Sequence, residues 1–147
     1  MIVGVVKELK PEELAGKVQT VLGAIDPEDL GITLPHEHFL IDMSVWFQEP
    51  PAASEKLYAH QPVCLENLGW IRYHPFSNLD NVKLIDEEIA IAEGLRYKKA
   101  GGNSVVDMTN IGLSRDPLAL SRISRATGLN IIMGSGYYVE EAQPVGL

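Results

Sequence analysis

The chain has 147 residues, 46% of them hydrophobic, and a formal charge of −8 at pH 7, which is enough apolar content for one buried core and argues against intrinsic disorder. Its Lys and Arg residues are dispersed and outnumbered by acids, so there is no concentrated basic surface and nucleic acid is not an expected partner. The lone cysteine, Cys64, excludes an internal disulfide and a thiolate zinc cluster, and no stretch approaches the roughly 20 apolar residues of a membrane span; a cytoplasmic protein with no membrane partner is expected.

Residues 1–6 are apolar, but Lys7, Glu8 and Lys10 follow without a small-residue cleavage pattern, so no signal peptide is read. In residues 17–24 (KVQTVLGA), Val18, Thr20 and Leu22 fall on one face with the period of a half-buried strand in a short antiparallel element. Asp26-Pro27 followed by Gly31 is a turn. Residues 32–40 (ITLPHEHFL) then read as a buried strand whose end carries a site. Between Asp42 and Asn81 the prolines Pro50, Pro51, Pro62 and Pro75 break every period. Trp46, Phe47, Trp70, Tyr73 and Phe76 predict an ordered excursion there, a long loop with one helix over residues 63–71.

Residues 84–99 predict a helix with Ile85, Ile89 and Ala92 on its apolar face, opposite Glu87, Glu88 and Lys98. Gly101-Gly102 stops it, and Gly94 inside it costs about 1 kcal/mol against Ala. Residues 104–108 (SVVDM) form a short buried strand. Asp116-Pro117 opens a second helix with a side-chain cap and a proline in its first turn, and Gly128 closes it. Residues 130–134 (NIIMG) are a third strand running into Gly134-Ser135-Gly136. Strands alternating with helices imply an α/β fold with parallel strands and right-handed crossovers. No repeat or linker divides the chain, so one domain is expected.

His36-Glu37-His38 places two imidazoles on one side of an extended strand, and neutral imidazole is a good ligand for zinc and related ions. The residues alone leave two readings open, a metal pair or two incidental histidines on an exposed strand. Position favours the first, because active sites of parallel barrels lie at the C-terminal ends of their strands.

GKVQTVLGAIDPEDLGITLPHEHF resembles the opening of phosphotriesterase-related proteins of the amidohydrolase superfamily, in which a small hairpin leads into the first barrel strand and its T-x-x-H-E-H segment. VVDMTNIGLSRDPLALSRISRATGLNIIMGSGYYV resembles the same family's second strand, R-D helix start, and third strand ending in G-x-G plus an aromatic residue. The likeness runs over residues 16–139, more loosely in the middle. Pro35 departs from it, standing where relatives often carry a threonine, and a local shift of the strand is the expected consequence.

The resemblance implies a partial TIM (β/α)8 barrel comprising the hairpin and the first three barrel strands. A complete barrel takes about 250 residues, so the chain is expected to be the N-terminal part of a single metal-dependent hydrolase domain. It further implies two divalent metal ions, Zn2+ by preference, that activate water against an ester, lactone, phosphotriester or N-acyl amide of a small-molecule substrate. His36 and His38 match the family's first two metal ligands, and Tyr138 matches an aromatic residue that lines the substrate pocket. The remaining ligands, a bridging lysine or glutamate, two histidines and an aspartate, are implied beyond Leu147. His60 and His74 fall outside the motif and read as loop packing. Asp107 reads as an acceptor of backbone hydrogen bonds, Asp116 as a helix cap, and Arg115 as a partner across the barrel face. The competing reading is a catalytically inactive truncated barrel that either binds a partner or is a non-functional product. On either reading, strand edges at Met108 and Met133 lack neighbours and a homo-oligomer is expected.

Overall fold

The computed structural model describes residues 14–144 and Gly146; the apolar segment of residues 1–6 lies outside the described residues. A hairpin of β1 (Val18–Thr20) and β2 (Gly23–Ile25) comes first. Leu22, expected on the strand face, sits in the hairpin turn and is exposed, because Thr20 turns the chain: its hydroxyl donates to the Gly23 carbonyl and accepts from the Leu22 N–H. A 3-10 turn over Pro27–Leu30 follows and ends at Gly31, whose φ of 56° suits a residue without a Cβ.

The next elements are β3 (Thr33–Glu37), β4 (Ile41–Asp42), α1 (Ala53–His60), α2 (Leu65–Ile71) and β5 (Lys83–Leu84). After them come α3 (Glu87–Lys99), β6 (Ser104–Asp107), α4 (Pro117–Thr127) and β7 (Asn130–Met133). β3, β6 and β7 form a parallel sheet in the order β3-β6-β7, with α3 and α4 as the connections, as the alternation predicts. That order corrects one expectation: β6 lies in the middle, so the edges without a neighbour among the described strands are β3 and β7, and Met108 is not at one. It also corrects another, since β3 is an edge strand of partly and fully exposed residues rather than a buried one.

The core lies where α3 and α4 cover the sheet. Val105 and Ile131 from the strands meet Ala119, Leu120 and Ile123 of α4, Ala90 of α3 and Leu129. Each large aliphatic side chain buried there stabilises the fold by about 2 kcal/mol. Helix α4 begins and ends as its sequence dictates. Asp116 accepts from the Leu118 and Ala119 N–H groups, Pro117 needs no donor in the first turn, and Gly128 takes the left-handed geometry past the last turn with φ 67°.

Helix α3 differs from its predicted pattern. It starts two residues after Ile85, capped by Asp86, and Ile85, Ile89 and Ala92 are exposed, while Ala90 and Gly94 are buried. The helix makes its closest approach at its smallest residues, with Ile91 and Tyr97 partly buried against the same core. A Cβ on Gly94 would meet the Thr127 methyl at 2.9 Å and the Phe39 ring at 3.3 Å, so close approach, not side-chain volume, defines its inner face.

The excursion holds two helices where one was expected. α2 falls within residues 63–71, and α1 is additional. Two buried asparagines organise it. Asn78 donates to the Tyr58 and Gln61 carbonyls and accepts from the Asn81 N–H; Asn67 donates to the Pro62 carbonyl and accepts from the Cys64 N–H. The ribbon of β4 and β5, not foreseen, returns the excursion to the body of the protein, with Asp42 and Lys83 paired at 3.3 Å.

Candidate metal centre

The two ends of the sheet differ in kind. At the start of the strands, Ser104 donates to the Leu30 carbonyl, Asn130 to the Asp29 carbonyl, and the Asn103 N–H to the Ile32 carbonyl. These bonds staple the 3-10 turn beneath the strands. The chemistry-bearing residues lie at the other end. His36 lies near the end of β3 and His38 just past it, with Asp107, Thr109 and Asn110 at the exit of β6 and residues 134–138 at the exit of β7.

β3 does not reach that end regularly. Thr33 pairs with Ser104 and Leu34 with Val105, but Glu37 pairs with Asp107, so β3 carries one extra residue across Pro35 and His36. Proline has no N–H to give to the ladder, and a bulge at this point is the local shift expected from Pro35. The bulge leaves the two imidazoles adjacent, with ring centroids 5.6 Å apart and planes at 70°. His36 is exposed and His38 half-buried.

A ligating ring nitrogen lies about 2.1 Å from a zinc ion and the ring centre about 1.1 Å further, so two rings at a tetrahedral angle have centres about 5.2 Å apart and can never exceed about 6.4 Å. The observed separation lies between those limits. In donor chemistry and spacing the pair therefore fits one divalent ion as two of its ligands, and among the described residues no cluster of three or more His, Cys, Asp and Glu forms.

The loop carrying His38 is held from β6. Asp107, completely buried, accepts from the Phe39 N–H at 2.8 Å through one carboxylate oxygen and from the Thr109 N–H at 3.0 Å through the other. This is the structural role read for it. Thr109, 1% exposed, lies 2.9 Å from His38 Nδ1 and donates its hydroxyl to the Leu40 carbonyl at 3.1 Å. Sequence reasoning missed Thr109, whose contact with His38 spans 71 residues and leaves no local signal.

The other predicted residues are distributed around this end. Arg115 donates to the Gly134 carbonyl at 3.1 Å, reaching across to the exit of β7. Tyr138 is half-buried, its N–H bonded to the Ile111 carbonyl, and its ring stands edge-on to Trp46 with centroids 6.5 Å apart. Trp46 was placed by sequence only in the ordered excursion. His60 pairs with Glu49 at 3.3 Å and packs by Phe47, while His74 stacks on Trp70 at 4.7 Å; both belong to the excursion.

The family model for the phosphotriesterase family matches residues 16–145. The chain belongs to the phosphotriesterase family. N-acetyltaurine hydrolases are among its relatives, that of Tetraodon nigroviridis being 44% identical and the human one 42%, each over 128 residues. In both cases the match covers 86% of this chain and 36% of the relative, so the chain spans about a third of the length of these proteins. Among solved structures, a resiniferatoxin-binding protein from Rhodobacter sphaeroides is 40% identical with a TM-score of 0.87, over 89% of this chain and 37% of that one. An organophosphorus hydrolase from Deinococcus radiodurans is 28% identical with a TM-score of 0.53, over 85% of this chain and 30% of that one. The family is one of hydrolases that act on small molecules, and no described helix is long and apolar enough to cross a membrane.

Proposed function

We propose that this chain forms the hairpin and first three strands of a phosphotriesterase-family (β/α)8 barrel, in a single domain, and contributes His36 and His38 as two ligands of a binuclear centre. Zinc is the preferred ion, since two imidazoles suit it and no thiolate is present to select a softer one. The observation that carries the reading is the pair of rings 5.6 Å apart at the C-terminal end of an edge strand. When bound, the ions supply an activated water and stabilise the charge that develops on the attacked centre. The chain's own contribution is to hold the two imidazoles: Asp107 fixes the backbone at Phe39, and the bulge at Pro35 and His36 sets the rings side by side.

The substrate class with most support is an N-acyl amide of a small anionic amine, because relatives at 42–44% identity are N-acetyltaurine hydrolases, whereas the organophosphorus hydrolase is more distant. By the family resemblance Tyr138 would line the substrate pocket, with Trp46 edge-on beside its ring. A catalytic zinc keeps at least three protein ligands, so turnover belongs to a chain of the relatives' full length that carries these residues; the 147 residues alone should be inactive. A reducing cytoplasm suits the exposed, unbridged Cys64.

The test is a panel of an N-acyl amino sulfonate, a lactone and a phosphotriester, offered to a family-length chain that begins with these residues and to the 147-residue chain. Turnover led by the amide and confined to the longer chain is expected. Equal turnover by the short chain would refute the ligand count, and preference for the phosphotriester would refute the substrate class. Binding without turnover is the second reading, favoured by the description of the Rhodobacter sphaeroides protein as resiniferatoxin-binding. It predicts saturable binding of an apolar ligand and silence across the panel.

A further inference from the structure

We propose that Thr109 is a positioning residue that fixes His38 in the tautomer with the proton on Nδ1, leaving the Nε2 lone pair for a metal ion. This rests on the reading of His38 as a ligand only for its purpose; the tautomer itself follows from counting protons. A threonine hydroxyl has one hydrogen and can serve two neighbours only by donating to one and accepting from the other. Thr109 Oγ1 has two, the Leu40 carbonyl at 3.1 Å and His38 Nδ1 at 2.9 Å.

The Leu40 carbonyl cannot donate. It belongs to a buried residue, and among the described residues the Thr109 hydroxyl is its one hydrogen-bond donor. Were the hydroxyl to turn to His38, a buried acceptor would lose its partner, a loss generally larger than the net gain of one part-buried bond. The hydrogen therefore goes to Leu40, the oxygen presents a lone pair to His38, and Nδ1 must carry the ring proton. Thr109 is itself buried and bonded through its N–H to Asp107 Oδ1. One buried pair, Asp107 and Thr109, thus fixes the loop at Phe39 and at Leu40 and contacts the ring of the preceding His38. Outer partners of this kind typically change metal affinity by about 10- to 100-fold.

The experiment is a long-range proton–nitrogen NMR correlation on the 15N-labelled 147-residue chain above the titration range of histidine, followed by zinc titration. In the unaltered chain His38 should show a protonated Nδ1 and a bare Nε2. Thr109→Ser should keep that pattern. Thr109→Val should lose it, moving His38 toward the Nε2–H form that an unconstrained histidine side chain prefers, and should weaken the zinc response of His38 by about 10-fold or more. A protonated Nε2 in the unaltered chain overturns the proposal whatever the variants do, so a Thr109→Val chain that fails to fold does not protect it. If the tautomer is as stated but zinc leaves His38 unmoved, the ligand reading fails and the role of Thr109 stands. If zinc binds His38 while Nε2 carries the proton, the role of Thr109 fails and the ligand reading stands.

Discussion

Gly94→Ala sets two effects of known size against each other. In an exposed helix the change would stabilise α3 by about 1 kcal/mol, the propensity difference between the two residues. Here the new methyl would lie 2.9 Å from the Thr127 methyl, 3.3 Å from the Phe39 ring and 3.4 Å from Leu129. Thr127 cannot swing away freely, since its hydroxyl donates to the Ile123 carbonyl at 2.8 Å and accepts from the Leu129 N–H at 3.3 Å. Overpacking a core by one methyl costs about 1–3 kcal/mol, so the expected net effect is a loss of about 1 kcal/mol, or about 3 °C in Tm for a domain of this size. Urea unfolding measures it, and a double-mutant cycle assigns the cause. Thr127→Ser removes the opposing methyl, so Gly94→Ala should be less costly, by about 1 kcal/mol, in a chain that already carries Thr127→Ser. A more stable Gly94→Ala chain, or additivity with Thr127→Ser, would refute the claim that close approach sets the inner face of α3.

Asn78→Leu should destabilise by about 3 kcal/mol or more, because two carbonyls and one N–H lose their partners at a fully buried position; thermal unfolding checks it, and a loss below about 1 kcal/mol counts against the asparagine staple. Burial raises the Asp42 carboxyl, but the Ser44 hydrogen bonds and Lys83 outweigh it and hold the group below its ordinary 3.8. That contribution to stability is complete above the unfolded-state value and fades as pH falls below it through the folded-state value. Asp42→Asn should therefore flatten the acid limb of a plot of urea midpoint against pH, and an unchanged limb contradicts the pairing. Tyr138→Ala in a family-length chain should change the ratio of amide to lactone rates while leaving metal content intact; an equal fall for every substrate would make its role structural.

Much of the framework was legible because single residues decide it. Asp116, Pro117 and Gly128 carry the start and stop of α4 in their own side chains and backbone, and the apolar runs of β6 and β7 need no context to be seen. The inner face of α3 was not legible, because its signal is the absence of volume at Ala90 and Gly94, while hydrophobicity pointed to Ile85 and Ile89, which the described residues leave exposed. Two-residue strands such as β4 and β5 have no period to detect, and α1 lacks a side-chain cap and a strong apolar stripe. At the candidate site the His36 and His38 spacing could be read from the chain. The contact of Thr109 with His38 could not, because it spans 71 residues.

The most direct test of the central claim is the metal content and amidase rate of His36→Ala and His38→Ala in a family-length chain carrying these residues. Both variants should fold, lose metal and fall in rate by orders of magnitude. Full metal and full rate in either would contradict the assignment of His36 and His38 to one metal centre.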